Sequence, residues 1–330
     1  MKIDQSKMRQ VILNFPDQFR KGLELSKEVK VKKPINKIVV SGMGGSALPG
    51  DLLKLYLRNS DIPLEISRNY YLTVPINEKT LVFSVSFSGN TEETITSLKE
   101  AESKGSQLVI ITSNGELEEI AKKEKIPLIK LIKESPNFQP RSATGYIFSA
   151  LVNVLINSKI VSEEKREEIR RLSEELKTFN DEDKGKELAK KLKGKIPLVY
   201  ASDRFKSLAR IWKIKFNENS KIQAFWNYFP ELNHNEMVGF THPQDKFHLL
   251  ILRDKDDHPK IRKRMAITAQ LLKDKGLEVT IFDIQGKDLL TKIFSTLMLG
   301  DWISYYLALE YKIDPTPVKM VEDFKKEMKK

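Results

Sequence analysis

The 330-residue chain has no cysteine. Disulfides, thiolate metal sites and cysteine nucleophiles are therefore excluded. Histidine is almost as scarce, with four residues at 234, 242, 248 and 258. No two of these stand at the i, i+4 spacing of a helical zinc pair, so no metal is expected. No apolar run approaches the roughly 20 residues of a membrane span, so no membrane partner is expected. The start, MKIDQSKMRQVILNF, lacks the apolar core of a signal peptide, and the expected location is cytoplasmic. The formal charge is +12, but no basic run is interleaved with aromatics. The lysines are spread out and often matched by glutamates, as in SEEKREEIRRLSEELK. Such a surface attracts small anions and gives no footprint for nucleic acid.

Hydrophobic residues make up 40% of the chain, enough for a sizeable core. In the first half, KIVVSG (37–42), PLEIS, TLVFSVS (80–86), SQLVIITS (106–113) and IPLIKL read as short strands with amphipathic helices between them. That order predicts an α/β fold with a parallel sheet covered on both faces. A long apolar helix, ATGYIFSALVNVLI (143–156), closes this half. The second half repeats the pattern. PLVYAS (197–202) matches KIVVSG, FHLLIL (247–252) matches TLVFSV, and LEVTIFD (277–283) matches SQLVIITS. A duplicated unit follows from the conserved order of elements. The expected division is residues 1–160, a charged helical connector at 161–192, and residues 193–330.

The copies differ in their loops. After its strands the first carries GMGGSA and SFSGNT, and the second carries DRFKSLA and RDKDDHP. In an open parallel sheet, ligands bind at the carboxyl ends of the strands, where helix N-termini present unpaired N–H groups. Glycines admit an anion to the backbone and hydroxyls donate to it. Gly45, Ser46, Ser86, Ser88 and Thr91 thus form a candidate phosphate cradle in the first half. The bland alternative for the second loop is a helix capped by Thr91, with no ligand. The rival for the first loop is a dinucleotide fingerprint, Gly42-x-Gly44-x-x-Ala47, with Glu65 further on, as in a nicotinamide-dependent dehydrogenase. It leaves the second hydroxyl loop unexplained. No Gly-Lys-Ser/Thr follows, so this is not a Walker loop.

A second polar cluster lies in NENSKIQAFWNYFPELNHNEMVGF (217–240). Glu218 ends an amphipathic run, ARIWKIKF, and is either a proton-shuttling carboxylate or an exposed helix-end residue. His234 lies between two asparagines and is the best acid–base histidine. His248 sits in a strand-like run and reads as structural, His242 as a turn residue, and His258 follows a charged loop. Arg141, in the proline-bounded NFQPRSATGY, is either a surface residue or a group that stabilises developing negative charge.

Together, SGMGGSALPGD, SFSGNTEET, PRSATGY, the NEN…ELNHNE block and DPTPV resemble the bifunctional phosphoglucose/phosphomannose isomerases of the sugar-isomerase (SIS) superfamily. The likeness spans about residues 35 to 327. It implies two tandem SIS domains, each a five-stranded parallel sheet between helices, in a homodimer. It implies aldose–ketose isomerisation of glucose 6-phosphate or mannose 6-phosphate with fructose 6-phosphate, with no metal or organic cofactor. By position, Ser46, Ser86, Ser88 and Thr91 would bind phosphate. Glu218 would move a proton between C1 and C2, and Arg141 would stabilise the cis-enediolate. His234, supplied by the partner subunit, would assist ring opening. Thr316 and Lys325 are the nearest candidates for the C-terminal threonine and lysine of the site. Non-catalytic sugar-phosphate sensing is the other activity compatible with SIS domains, but no helix-turn-helix candidate precedes the first strand.

Overall fold

The computed structural model describes residues 3–32 and 34–328, which form two compact units. Helix α1 (Met8–Leu13) lends Met8 and Ile12 to the second unit, where they pack with Trp302 and Tyr305.

The first unit comprises residues 13–178. Its helices are α2 (Asp17–Leu25), α3 (Gly44–Tyr56), α4 (Glu92–Ser103), α5 (Glu116–Lys123), α6 (Thr144–Asn157) and α7 (Glu164–Leu176). Its strands are β1 (Lys37–Gly42), β2 (Leu64–Ser67), β3 (Thr80–Val85), β4 (Gln107–Thr112) and β5 (Leu128–Lys130). All pair in parallel, in the order β2-β1-β3-β4-β5. β3 is buried along its whole length, as an apolar strand covered on both faces must be. β1 and β3 lie side by side where the strand order reverses. Their carboxyl ends therefore flank the crevice at which this architecture places ligands. Helix α6 is largely apolar on every side because it is buried from Thr144 to Ile156.

The second unit comprises residues 3–12 together with those from Phe179 onward. It contains α8 (Glu182–Leu192), β6 (Ile196–Ser202), α9 (Lys206–Lys215), β7 (Phe225–Phe229), β8 (Phe247–Arg253), α10 (Pro259–Asp274), β9 (Glu278–Asp283), α11 (Leu289–Glu310) and α12 (Lys319–Glu327). The parallel order β7-β6-β8-β9 repeats that of the first four strands of the other sheet. The duplication is therefore real at the level of topology. This sheet has four strands among the described residues, not the expected five. After α11 the chain continues as Ile313-Asp-Pro-Thr-Pro. Two prolines without N–H donors are poor material for a fifth strand.

The charged stretch 161–192 forms α7 and α8. Each buries a narrow apolar stripe, with Ile169, Leu172 and Leu176 in the first unit and Leu188, Ala189 and Leu192 in the second.

Candidate active site

In the first unit, β1 ends at Gly42 and α3 begins at Gly44, so the bare backbone of Gly44, Gly45 and Ser46 forms the helix's first turn. β3 ends at Val85 and passes through Ser86–Asn90 before α4 begins. Ser46 Oγ accepts a hydrogen bond from Phe87 N at 3.0 Å, which ties the two loops together. Ser86 Oγ lies 2.8 Å from Thr91 Oγ1 and 3.4 Å from Ser88 Oγ, and it accepts from Gly89 N at 3.1 Å. Three hydroxyls thus converge at the N-terminus of α4.

Thr91 occupies the N-cap position of α4, yet its side chain makes no cap hydrogen bond. The reading in which this threonine merely caps its helix does not hold. The hydroxyl turns to Ser86 instead, leaving the helix's first N–H groups without that acceptor. Glu92, which stands close to a prospective anion, is exposed. Glu93, and less strongly Glu92, raise the pKa of the Tyr70 phenol, with burial as a further cause.

A third loop braces the cradle. Asn90 Oδ1 accepts from Glu116 N at 2.9 Å, and Ser113 Oγ donates to Phe87 O at 2.6 Å. Gly89 has φ +72°, and a Cβ there would sit 1.7 Å from Asn114 O. No residue with a side chain fits that turn. The Ser113-Asn114-Gly115 turn was not singled out in the sequence, although a polar turn closing an apolar strand is a legible signal.

Arg141 lies in a 3₁₀ turn, Pro140–Ser142, and is 1% exposed. It is not a surface arginine. A Cβ on Gly45 would come 2.4 Å from Arg141 N, so the two backbones are in contact. Gly45, Ser46, Ser86, Ser88, Thr91 and Arg141 therefore form one neighbourhood.

In the second unit, α9 runs into a π-helical turn, Phe216–Ser220, that carries Glu218. Such turns are uncommon and recur at functional sites. Glu218 is half-buried. Lys221 follows in the left-handed conformation, φ 58°. Its ammonium donates to Glu218 O and, at 3.0 Å, to Pro315 O. That link brings Thr316, 6% exposed, beside the Glu218 turn. Lys221, missed in the sequence, joins the two segments.

His234 ends a 3₁₀ turn, Glu231–His234, and is exposed. Beside it, Tyr200 Oη and Asn227 Nδ2 donate to Glu236, and burial followed by the Glu236 charge holds the Tyr200 phenol far above its usual pKa. Lys325 is exposed on α12, a helix with no buried residue. His248 is buried in β8, as expected of a structural residue, and His258 Nδ1 caps α10 by accepting from Lys260 N.

At the strand ends corresponding to the cradle, the second unit holds carboxylates. Asp257 Oδ1 accepts from Ser202 Oγ at 2.7 Å, and Asp254 pairs with Lys292 Nζ at 2.8 Å. Among the described residues no group of His, Asp and Glu could hold a metal ion.

Residues 33–154 match the SIS domain model, and residues 181–328 match the bacterial phospho-glucose isomerase C-terminal SIS domain. The tagatose-6-phosphate ketose/aldose isomerase of Escherichia coli shares the fold, with a TM-score of 0.68 at 16% identity over 93% of both chains. A bifunctional phosphoglucose/phosphomannose isomerase of Aquifex aeolicus is 36% identical, over 97% of this chain and 98% of its own. Its counterpart in Caldicellulosiruptor bescii is also 36% identical, over 97% and 98%. Sequence likeness of that extent, on a duplicated parallel fold with its glycine and hydroxyl loops in the first copy, means that the chain belongs to the bifunctional phosphoglucose/phosphomannose isomerase family.

Proposed function

We propose that the chain interconverts glucose 6-phosphate and mannose 6-phosphate with fructose 6-phosphate through a cis-enediolate. The observation that carries this reading is the Thr91 hydroxyl turned to Ser86 at the mouth of α4. A dianion there would take hydrogen bonds from Ser46, Ser86, Ser88 and Thr91 and from the N–H groups near Gly45, and would gain from the positive ends of α3 and α4.

The chemistry then needs three groups. His234 acts as acid and base in opening the pyranose. The Glu218 carboxylate takes the C2 proton, and the C2–H electron pair becomes the enediolate double bond. The same proton returns to C1 while the O2 hydroxyl proton passes to O1, so C1 is reduced, C2 is oxidised and no external reductant enters. Arg141, fully charged at any working pH, stabilises the enediolate oxygens. Thr316 and Lys325 complete the site. The active species in this reading is a homodimer in which His234 comes from the second copy, and its compartment is the cytoplasm. Exposed Phe225 (52%) and Val238 (69%), on the elements flanking His234, favour such an association.

Glu218→Gln tests the base. Fructose 6-phosphate turnover should fall by about 10²–10⁴-fold with the fold intact; full activity would remove Glu218 from the role. Unaltered turnover with a chelator present is also expected. A chain that bound fructose 6-phosphate tightly without turning it over would be the sensor instead.

A further inference from the structure

Two charged residues of the second unit, neither assigned a step in the reaction, are buried. Lys215 ends α9, one residue before the π-turn, and its side chain is 2% exposed. Asp301 lies in the middle of the largely buried α11, with its side chain 10% exposed. Nζ and Oδ1 are 2.7 Å apart. One turn further along α11, Ser304 grips the other end of the same segment. Its Oγ accepts from Asn219 Nδ2 at 2.9 Å, and its carbonyl accepts from Ser220 Oγ at 2.7 Å. Glu218 lies between the two gripped points.

A buried ion pair is a poor way to glue two helices. Desolvation consumes most of the Coulombic gain, and well-packed apolar residues do as well or better. What the pair adds is direction: an ammonium and a carboxylate at 2.7 Å fix rotation and register, whereas an apolar contact tolerates sliding. A π-turn needs such control, because it inserts an extra residue and has no regular helix on its far side. We infer that Lys215 and Asp301, with Ser304, are positioning residues that hold the π-turn in register on α11 and thereby aim the Glu218 carboxylate at the substrate. The inference rests on Glu218 being the base. In this reading none of the three is assigned a contact with the reacting atoms.

The test replaces the pair by apolar residues of similar size, K215M/D301L, beside Glu218→Gln and Lys215→Arg. With the pair apolar, kcat for fructose 6-phosphate should fall at least 10-fold, since small misplacements of a reacting group cost that much. KM should stay within about twofold, because the phosphate cradle lies in the other unit and carries the uniform binding. With C2-deuterated glucose 6-phosphate the isotope effect should grow, because proton transfer becomes more fully rate-limiting. Lys215→Arg keeps the pair and should restore most of the turnover. A purely structural pair would shift the melting temperature and leave the isotope effect unchanged. Wild-type kcat and isotope effect in K215M/D301L, with Glu218→Gln inactive, would overturn this inference alone. Full activity of Glu218→Gln would overturn the base assignment, and this inference with it. If the apolar pair does not fold, Ser304→Ala is read in the same assays: a selective loss of kcat supports the inference and wild-type kcat overturns it.

Discussion

Thr91 opens helix α4, but its hydroxyl lies 2.8 Å from Ser86 Oγ and leaves the helix uncapped. A cap and a ligand donor have opposite consequences on mutation. Thr91→Val removes the hydroxyl and keeps the shape. Losing one hydrogen bond to a charged group costs about 1.5–3 kcal/mol, so KM for fructose 6-phosphate should rise about 10–100-fold. Thermal stability should barely change. A drop in melting temperature with KM unmoved would return the hydroxyl to a structural role.

Gly45 has no room for a methyl group. Its Cβ would meet Arg141 N at 2.4 Å and Arg141 Cα at 2.7 Å, and backbone yields less readily than a side chain. Gly45→Ala should destabilise the first unit by about 1–3 kcal/mol, as overpacking does. It should also lower kcat by shifting the turn that carries Arg141. Urea unfolding and initial rates measure the two effects separately.

The second unit fills its own strand ends with charge. Asp254 is fully buried and pairs with Lys292, itself 3% exposed, while Asp257 occupies Ser202. An incoming phosphate would meet carboxylates there. Titration calorimetry should therefore find one sugar phosphate per chain, not two. Lys292→Met removes the nearer cation from the buried Asp254 carboxylate, leaving Arg204 at 3.8 Å, and should cost about 3 kcal/mol of stability. Two binding events per chain would refute the first expectation, and a neutral Lys292→Met the second.

His248 makes stability depend on pH. Burial disfavours its imidazolium and holds its pKa below the ordinary value; the Glu278 charge acts in the opposite direction, and the Lys195 and Lys191 charges add to the lowering. The unfolded chain takes up this proton near about pH 6.5, and the folded unit only at lower pH. This contribution is complete above pH 6.5 and is lost as pH falls through the folded value. His248→Gln keeps a hydrogen-bonding group near Thr280, the present partner at 2.8 Å, but cannot titrate. Melting curves between about pH 5 and 7 should be steeper in pH for the parent chain than for the variant. Parallel curves would exclude His248 as the titrating group.

Much of this molecule is legible in one dimension. Strand and helix order, the duplication, and the contrast between GMGGSA and SFSGNT in one half and DRFKSLA and RDKDDHP in the other are local patterns, and local backbone preference suffices to read them. The buried ion pair left a fainter trace. Lys215 stands on the stripe of Leu208, Ile211 and Trp212, and Asp301 is a lone acid inside MLGDWISYYL. A charge on an apolar face needs a partner, but nothing in the spacing says which one.

The sequence by itself determined two parallel α/β units and confined the hydroxyl and glycine loops to the first. It also marked Glu218 as a carboxylate at a helix end. Only the tertiary structure decided that the Thr91 hydroxyl serves Ser86 and not its own helix, that Arg141 is buried against Gly45, that Glu218 rides a π-turn, and that the second sheet has four strands among the described residues. The physical reason is one of range. Backbone conformation responds to neighbours a few residues away. A side chain's partner must lie within hydrogen-bonding reach, and that depends on which distant segments packing brings alongside.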